Sequence, residues 1–101
     1  MPEICLTLIC PPDLEERLLD WLLLRPDLEI FTSQTAFVHG LPHSAMNSSE
    51  KVMGRVAAPL VQAIFPAACQ TQLIADLRAE FAGMRLRYWL TPVIHVEEIA
   101  F

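Results

Sequence analysis

Two apolar runs in this chain stop at a proline, and each is followed by a segment whose apolar residues recur at helical spacing. Ile4–Cys10 ends at Pro11-Pro12, and Val56–Phe65 ends at Pro66. A short apolar run bounded by turn residues reads as a buried strand. After Pro12, the acidic Asp13, Glu15 and Glu16 suit the positive end of a helix dipole. Leu14, Leu18, Trp21 and Leu22 then form one stripe, widened by Leu19 and Leu23, and Pro26 stops the helix. After Pro66, Leu73, Leu77 and Phe81 stand at i, i+4 and i+8 with Ile74 alongside, and Gly83 suits the helix end.

Two further strands complete the pattern. From Leu28 to about His39 the chain alternates, with Ile30, Thr32, Gln34, Ala36 and Val38 on one side and Phe31, Ser33, Thr35, Phe37 and His39 on the other. Leu86 to about Val96 forms the last strand, which Pro92 bends. The order β-α-β-β-α-β predicts an α+β, ferredoxin-like sandwich: an antiparallel four-stranded sheet with two helices on one face. Residues 1–101 then form one domain, with a loop at about 39–55. Pro59 is awkward inside the third strand, because proline belongs at an edge or a bulge.

Two helices leave the other sheet face uncovered. That face is expected to carry Cys5, Ile9, Phe31, Phe37 and Trp89 among Thr7, Ser33 and Thr35, which is too apolar for a comfortable water-facing surface. Apolar residues make up 53% of the chain, above the usual proportion, so surplus apolar surface is expected to meet other subunits. The net charge of −5 and the lack of a Lys/Arg cluster argue against nucleic acid as a partner. No apolar run is long enough to insert in a membrane. No signal peptide is evident, and Cys5, Cys10 and Cys69 match no disulfide framework, so a cytoplasmic location is expected. Cys5 and Cys10 lie on opposite faces of one strand and cannot share a metal within one subunit.

The chemistry is concentrated in the polar insert between the second and third strands. His39, His43, Met46 and Met53 could bind metal, since imidazole suits Cu, Zn or Ni and thioethers suit Cu(I). A polar loop that happens to contain two histidines is the alternative. Glu50, Gly54 and Arg55 could form a ligand- or partner-binding turn. In that reading Gly54 permits close backbone approach and Arg55 supplies a fork of donors. Alternatively, Glu50 and Arg55 form a salt bridge that anchors the loop. Ser48-Ser49-Glu50 could start a short helix capped by Ser48. No nucleophile sits at a recognisable spacing from a base, so a non-enzymatic protein is expected.

The segments Cys5-Leu6-Thr7-Leu8-Ile9-Cys10-Pro11-Pro12, Phe31-Thr32-Ser33, His39-Gly40, Ser49-Glu50-Lys51-Val52-Met53-Gly54-Arg55 and Tyr88-Trp89-Leu90-Thr91-Pro92-Val93 span nearly the whole chain. On these the sequence resembles an uncharacterised family of small PII-like proteins often encoded beside heavy-metal efflux pumps. Tyr88–His95 is also similar to the final strand of the copper-tolerance CutA trimers. The resemblance implies a PII-like homotrimer whose sheets pack toward the centre and whose loop after the second strand is a sensor or effector loop. It further implies a regulatory role in metal homeostasis, with a protein of an efflux system as partner. Direct metal binding by the His/Met loop and binding of a small anion in clefts between subunits are the alternative functions. The PII nucleotide-binding signature and the tyrosine-bearing regulatory loop are absent, so neither nucleotide binding nor uridylylation is implied.

Overall fold

The computed structural model describes residues 2–28, 30–40 and 47–100, with only the backbone at 52 and 53. Strand β1 (Glu3–Ile9) leads through a 3-10 turn at Pro12–Leu14 into helix α1 (Glu15–Leu23). Strand β2 (Phe31–His39) is followed by a short helix α2 (Ser48–Met53) and a long strand β3 (Arg55–Pro66). A second 3-10 turn at Ala67–Cys69 opens helix α3 (Gln70–Glu80), and β4 (Arg87–Val93) closes the order. Both 3-10 turns come immediately after a proline, which presets the backbone for a helical start and ends the preceding strand.

The four strands form one antiparallel sheet in the order β2-β3-β1-β4. This is the ferredoxin-like arrangement that the element order predicts. Leu6 and Leu8 of β1, Val61, Ala63 and Phe65 of β3, Leu18 and Leu22 of α1, and Leu73 and Leu77 of α3 are almost wholly buried in a single core. The even-numbered residues of β1 therefore face the helices, and register then assigns every other strand residue to a side. Leu23 does not join the α1 stripe: it is 70% exposed, because five residues on from Leu18 is about 140° around the helix.

The second strand begins at Phe31, three residues later than expected, while Leu28 enters the core from the preceding turn. Its two alternating sets are as expected, but their sides are reversed. Phe31 pairs with Ala63, and Ala63 with Leu6, so Phe31, Ser33, Thr35 and Phe37 lie on the helix side. Phe31 packs against the core. The helix-free side carries Cys5, Thr7 and Ile9, Thr32, Gln34, Ala36 and Val38, Leu60, Gln62 and Ile64, and Arg87, Trp89, Thr91 and Val93.

Pro59 is accommodated at the point where β1 ends. Its carbonyl accepts a bond from the Cys10 N–H at 3.4 Å, so its nitrogen also points toward β1. The missing donor costs one bond at a strand end, and none of the ladder with β2 is lost. Pro92 lies in β4, at the sheet edge, where proline is tolerated.

Candidate functional site: an arm beyond the sheet

Strand β1 stops pairing with β3 at Ile9↔Leu60, whereas β2 continues alongside β3 to His39↔Arg55. Ala36–His39 and Arg55–Ala58 thus form a two-stranded arm that runs past the end of β1. Phe37, His39 and Arg55 share one side of this arm. The Arg55 guanidinium carbon sits 4.0 Å from the Phe37 ring centroid, a cation–π contact worth about 0.5–1 kcal/mol at an exposed site. Phe37 remains 55% exposed, and Arg55 forms no ion pair among the described residues. An exposed aromatic face, a guanidinium and an imidazole side by side can hold an anionic group or the acidic, flat part of a partner.

Helix α2 stands at the end of the arm and explains Glu50. The Asn47 N–H donates to Glu50 Oε1 and the Glu50 N–H donates to Asn47 Oδ1, both at 2.9 Å, forming a reciprocal capping box. Asn47, not Ser48, is the cap. The Glu50 carboxylate is thus engaged in holding the helix start, and it forms no salt bridge to Arg55 among the described residues. Gly54 ends α2 in the left-handed region at φ +69°, its N–H bonded to the Glu50 carbonyl at 2.7 Å. Among the described residues nothing lies within 4 Å of where a Cβ would stand, and the left-handed turn is what calls for glycine here.

Of the four proposed metal ligands, His39 alone has a described side chain. His39 is placed on the arm, directly opposite Arg55. His43 and Met46 lie outside the described residues, and Met53 is described by its backbone alone. Among the described residues no three His, Cys, Asp or Glu side chains come together as a metal-holding group. His95, on the surface after β4, meets Glu97 at 2.9 Å. Cys10 is 2% exposed, and burial, followed by the charges of Glu15 and Asp13, pushes its thiol up to about 11. It behaves as a small core hydrophobe. Phe37 is the arm residue that sequence reasoning did not include. The signal was present, because Phe37 precedes His39 by two residues and so shares its side of a strand.

A shallow groove of about 470 Å³ runs between α1 and the end of α3, lined by Asp13, Glu16, Asp20, Trp21, Leu24 and Glu80. Arg17 reaches into it, donating to the Glu80 carbonyl at 3.1 Å and resting 5.2 Å from the Phe81 ring centroid. Asp13 of the 3-10 turn and Glu16 and Asp20 of α1 form its acidic wall. No helix among the described residues is long and apolar enough to cross a membrane.

The profile of a family described as "Protein of unknown function (DUF3240)" matches residues 1–100. A crystal structure of a DUF3240 family protein from Shewanella baltica superposes with a TM-score of 0.79 at 20% identity, over 97% of each chain. At that identity the likeness concerns the fold. No curated protein matches the chain.

Proposed function

The chain belongs to the DUF3240 family, and from that starting point we propose that it is a non-enzymatic, PII-like regulatory protein of metal homeostasis. In this reading it works as a cytoplasmic homotrimer that contacts a protein of a heavy-metal efflux system. The observation that supports it most is the arm, with its exposed Phe37–Arg55 pair beside His39 and its capped helix at the tip. These side chains contribute little to the core, and loops and arms on a rigid scaffold are where recognition groups are placed. The link to efflux rests on the family resemblance. The trimer rests on that resemblance and on the apolar residues of the helix-free sheet face.

The arm's composition also supports a small anionic ligand, because Arg55 and Phe37 offer charge and a stacking face together. Direct binding of Cu, Zn or Ni through His39, His43, Met46 and Met53 is the competing reading, and Arg55 opposite His39 works against a cation there. A double variant, Phe37→Ala with Arg55→Ala, separates these readings. Both residues lie outside the main core, so the variant keeps its fold and its mass in solution. Loss of the chain from its host should alter tolerance to these metals, and the double variant should fail to restore it. Restoration by the double variant, or unchanged tolerance without the chain, rejects the regulatory reading. Tight Cu(I), Zn(II) or Ni(II) binding in native mass spectrometry that disappears in His39→Ala/His43→Ala establishes the direct metal role in its place.

A further inference from the structure

Helix α1 ends in two leucines that face water. Leu23 is 70% and Leu24 84% exposed. Leu24 and the half-buried Trp21 line the groove of about 470 Å³ between α1 and the end of α3. The Trp21 ring is held there edge-on to Phe81, with 5.7 Å between the ring centroids. Neither leucine contributes to the core, and an apolar patch rimmed by charge marks an interaction surface. The groove lies on the helix side of the sheet, opposite the apolar face proposed to meet other subunits.

The rim of this patch is acidic and unpaired. Arg17 is committed to α3, 3.1 Å from the Glu80 carbonyl and 3.5 Å from its carboxylate. Arg25 is committed to Asp76 and Asp27. Asp13, Glu16 and Asp20 are exposed and form no ion pair among the described residues. They follow one another at steps of three and four, and Leu24 continues the same line one turn on. The positive end of the helix accounts for Asp13 and Glu16 but not for Asp20, which lies beyond the first turn, nor for the leucines.

Two features define what fits. The carboxylates call for cations, and Arg17, seated against Glu80 and the Phe81 ring, is an example of that pairing within the chain. Both walls are helices, whose backbone groups are spent internally, so the groove offers no strand edge. A segment bound in it has to satisfy its own backbone, as a helix does. We propose that the groove takes a basic amphipathic helix of a protein partner. Its Lys or Arg residues, at steps of three and four, meet Asp13, Glu16 and Asp20, and its apolar residues cover Leu24 and Trp21. This contact uses no residue of the arm and is independent of the regulatory reading.

Fluorescence anisotropy with three labelled peptides of about 18 residues tests it. One is an amphipathic helix with a strip of Lys beside a strip of Leu. The second replaces each Lys with Glu, and the third reorders the first so that the strips are broken. The first should bind the full chain at least tenfold more tightly than either of the others, and its binding should weaken about tenfold on raising the salt from low to high. Asp20→Lys and Leu24→Ser should each weaken it about fivefold or more, with circular dichroism and mass in solution unchanged. Phe37→Ala with Arg55→Ala should bind it as the unaltered chain does. No binding of the first peptide at about 1 mM overturns the proposal. Equal binding of the reordered peptide also overturns it, because that is diffuse attraction to an acidic surface. So does undiminished binding by both groove variants, or a loss confined to the arm variant. If Asp20→Lys does not fold, Leu24→Ser decides alone.

Discussion

Arg25 joins the end of α1 to a carboxylate 51 positions further along the chain. Its guanidinium donates to Asp76 Oδ2 at 2.7 Å, approaches the Asp27 carboxylate at 3.4 Å, and rests 5.1 Å from the Trp21 ring centroid. The end of α1 is thereby tied to α3 above the core, by a charged side chain only 18% exposed. Arg25→Ala removes a charge-assisted bond and the packing on Trp21, and should cost about 2 kcal/mol in urea unfolding. The pair also sets an acid response. The hydrogen bond from Arg25, then that from Gln72, hold the Asp76 carboxyl below its ordinary range. A carboxylate with a depressed folded pKa stabilises the fold above its unfolded pKa and loses that contribution as pH falls through the folded value. Urea midpoints measured downward from about pH 5 should therefore fall less steeply in Asp76→Asn than in the unaltered chain. Identical slopes would show that the contact has no thermodynamic weight. No sequence pattern predicts this clamp: Arg25 looks like an ordinary residue before Pro26, and Asp76 is 51 positions away.

At the scale of elements, the strands and main helices were legible because their apolar periods differ and prolines mark their ends. What period alone does not supply is the side. Ile30, Ala36 and Val38 form one set of β2 and Phe31 and Phe37 the other, and both are apolar enough to face a core. Pairing decided between them, through Phe31↔Ala63. The helix in the insert was legible as a capped turn, but Asn47 and Ser48 are equally good caps by residue type. Only the reciprocal bonds to Glu50 distinguish them, and those same bonds give a carboxylate expected at a binding turn a structural task. The Phe37–Arg55 pair escaped because a cation–π contact joins residues from different strands and needs the register to be known. A six-residue helix is marginal in isolation, so its cap carries a large share of its order. Asn47→Ala should cost about 1 kcal/mol locally. Amide exchange at Lys51 and Gly54, which donate to the Asn47 and Glu50 carbonyls, should rise about fivefold or more, while core amides such as Leu8 stay unchanged. Unchanged exchange at those two amides would mean that α2 is held by something other than its cap.

For the molecule as a whole, the asymmetry of the sheet is the central physical fact. One face is closed by α1 and α3. The other presents Cys5 and Ile9, Leu60 and Ile64, and Trp89 and Val93 around Thr7, which is 3% exposed. Trp89 pairs across from Thr7 and is 43% exposed in the single subunit, so its removal costs the isolated fold little. In an assembly it is a large amphipathic anchor of the kind that dominates interface energetics. Trp89→Ser should then leave the circular dichroism spectrum intact and lower the mass in solution from a multiple of 11.4 kDa toward that of one chain. Cys5 reports on the same face from within. It is half-buried in one subunit, and a second sheet laid on it would shield the thiol from alkylation. The unaltered chain should thus modify slowly at Cys5, and Trp89→Ser should raise that rate tenfold or more. Cys69, at the start of α3, is the internal control whose rate should not move. A single-chain mass for the unaltered protein, together with equal Cys5 rates in both proteins, would show that this apolar face is simply open to water.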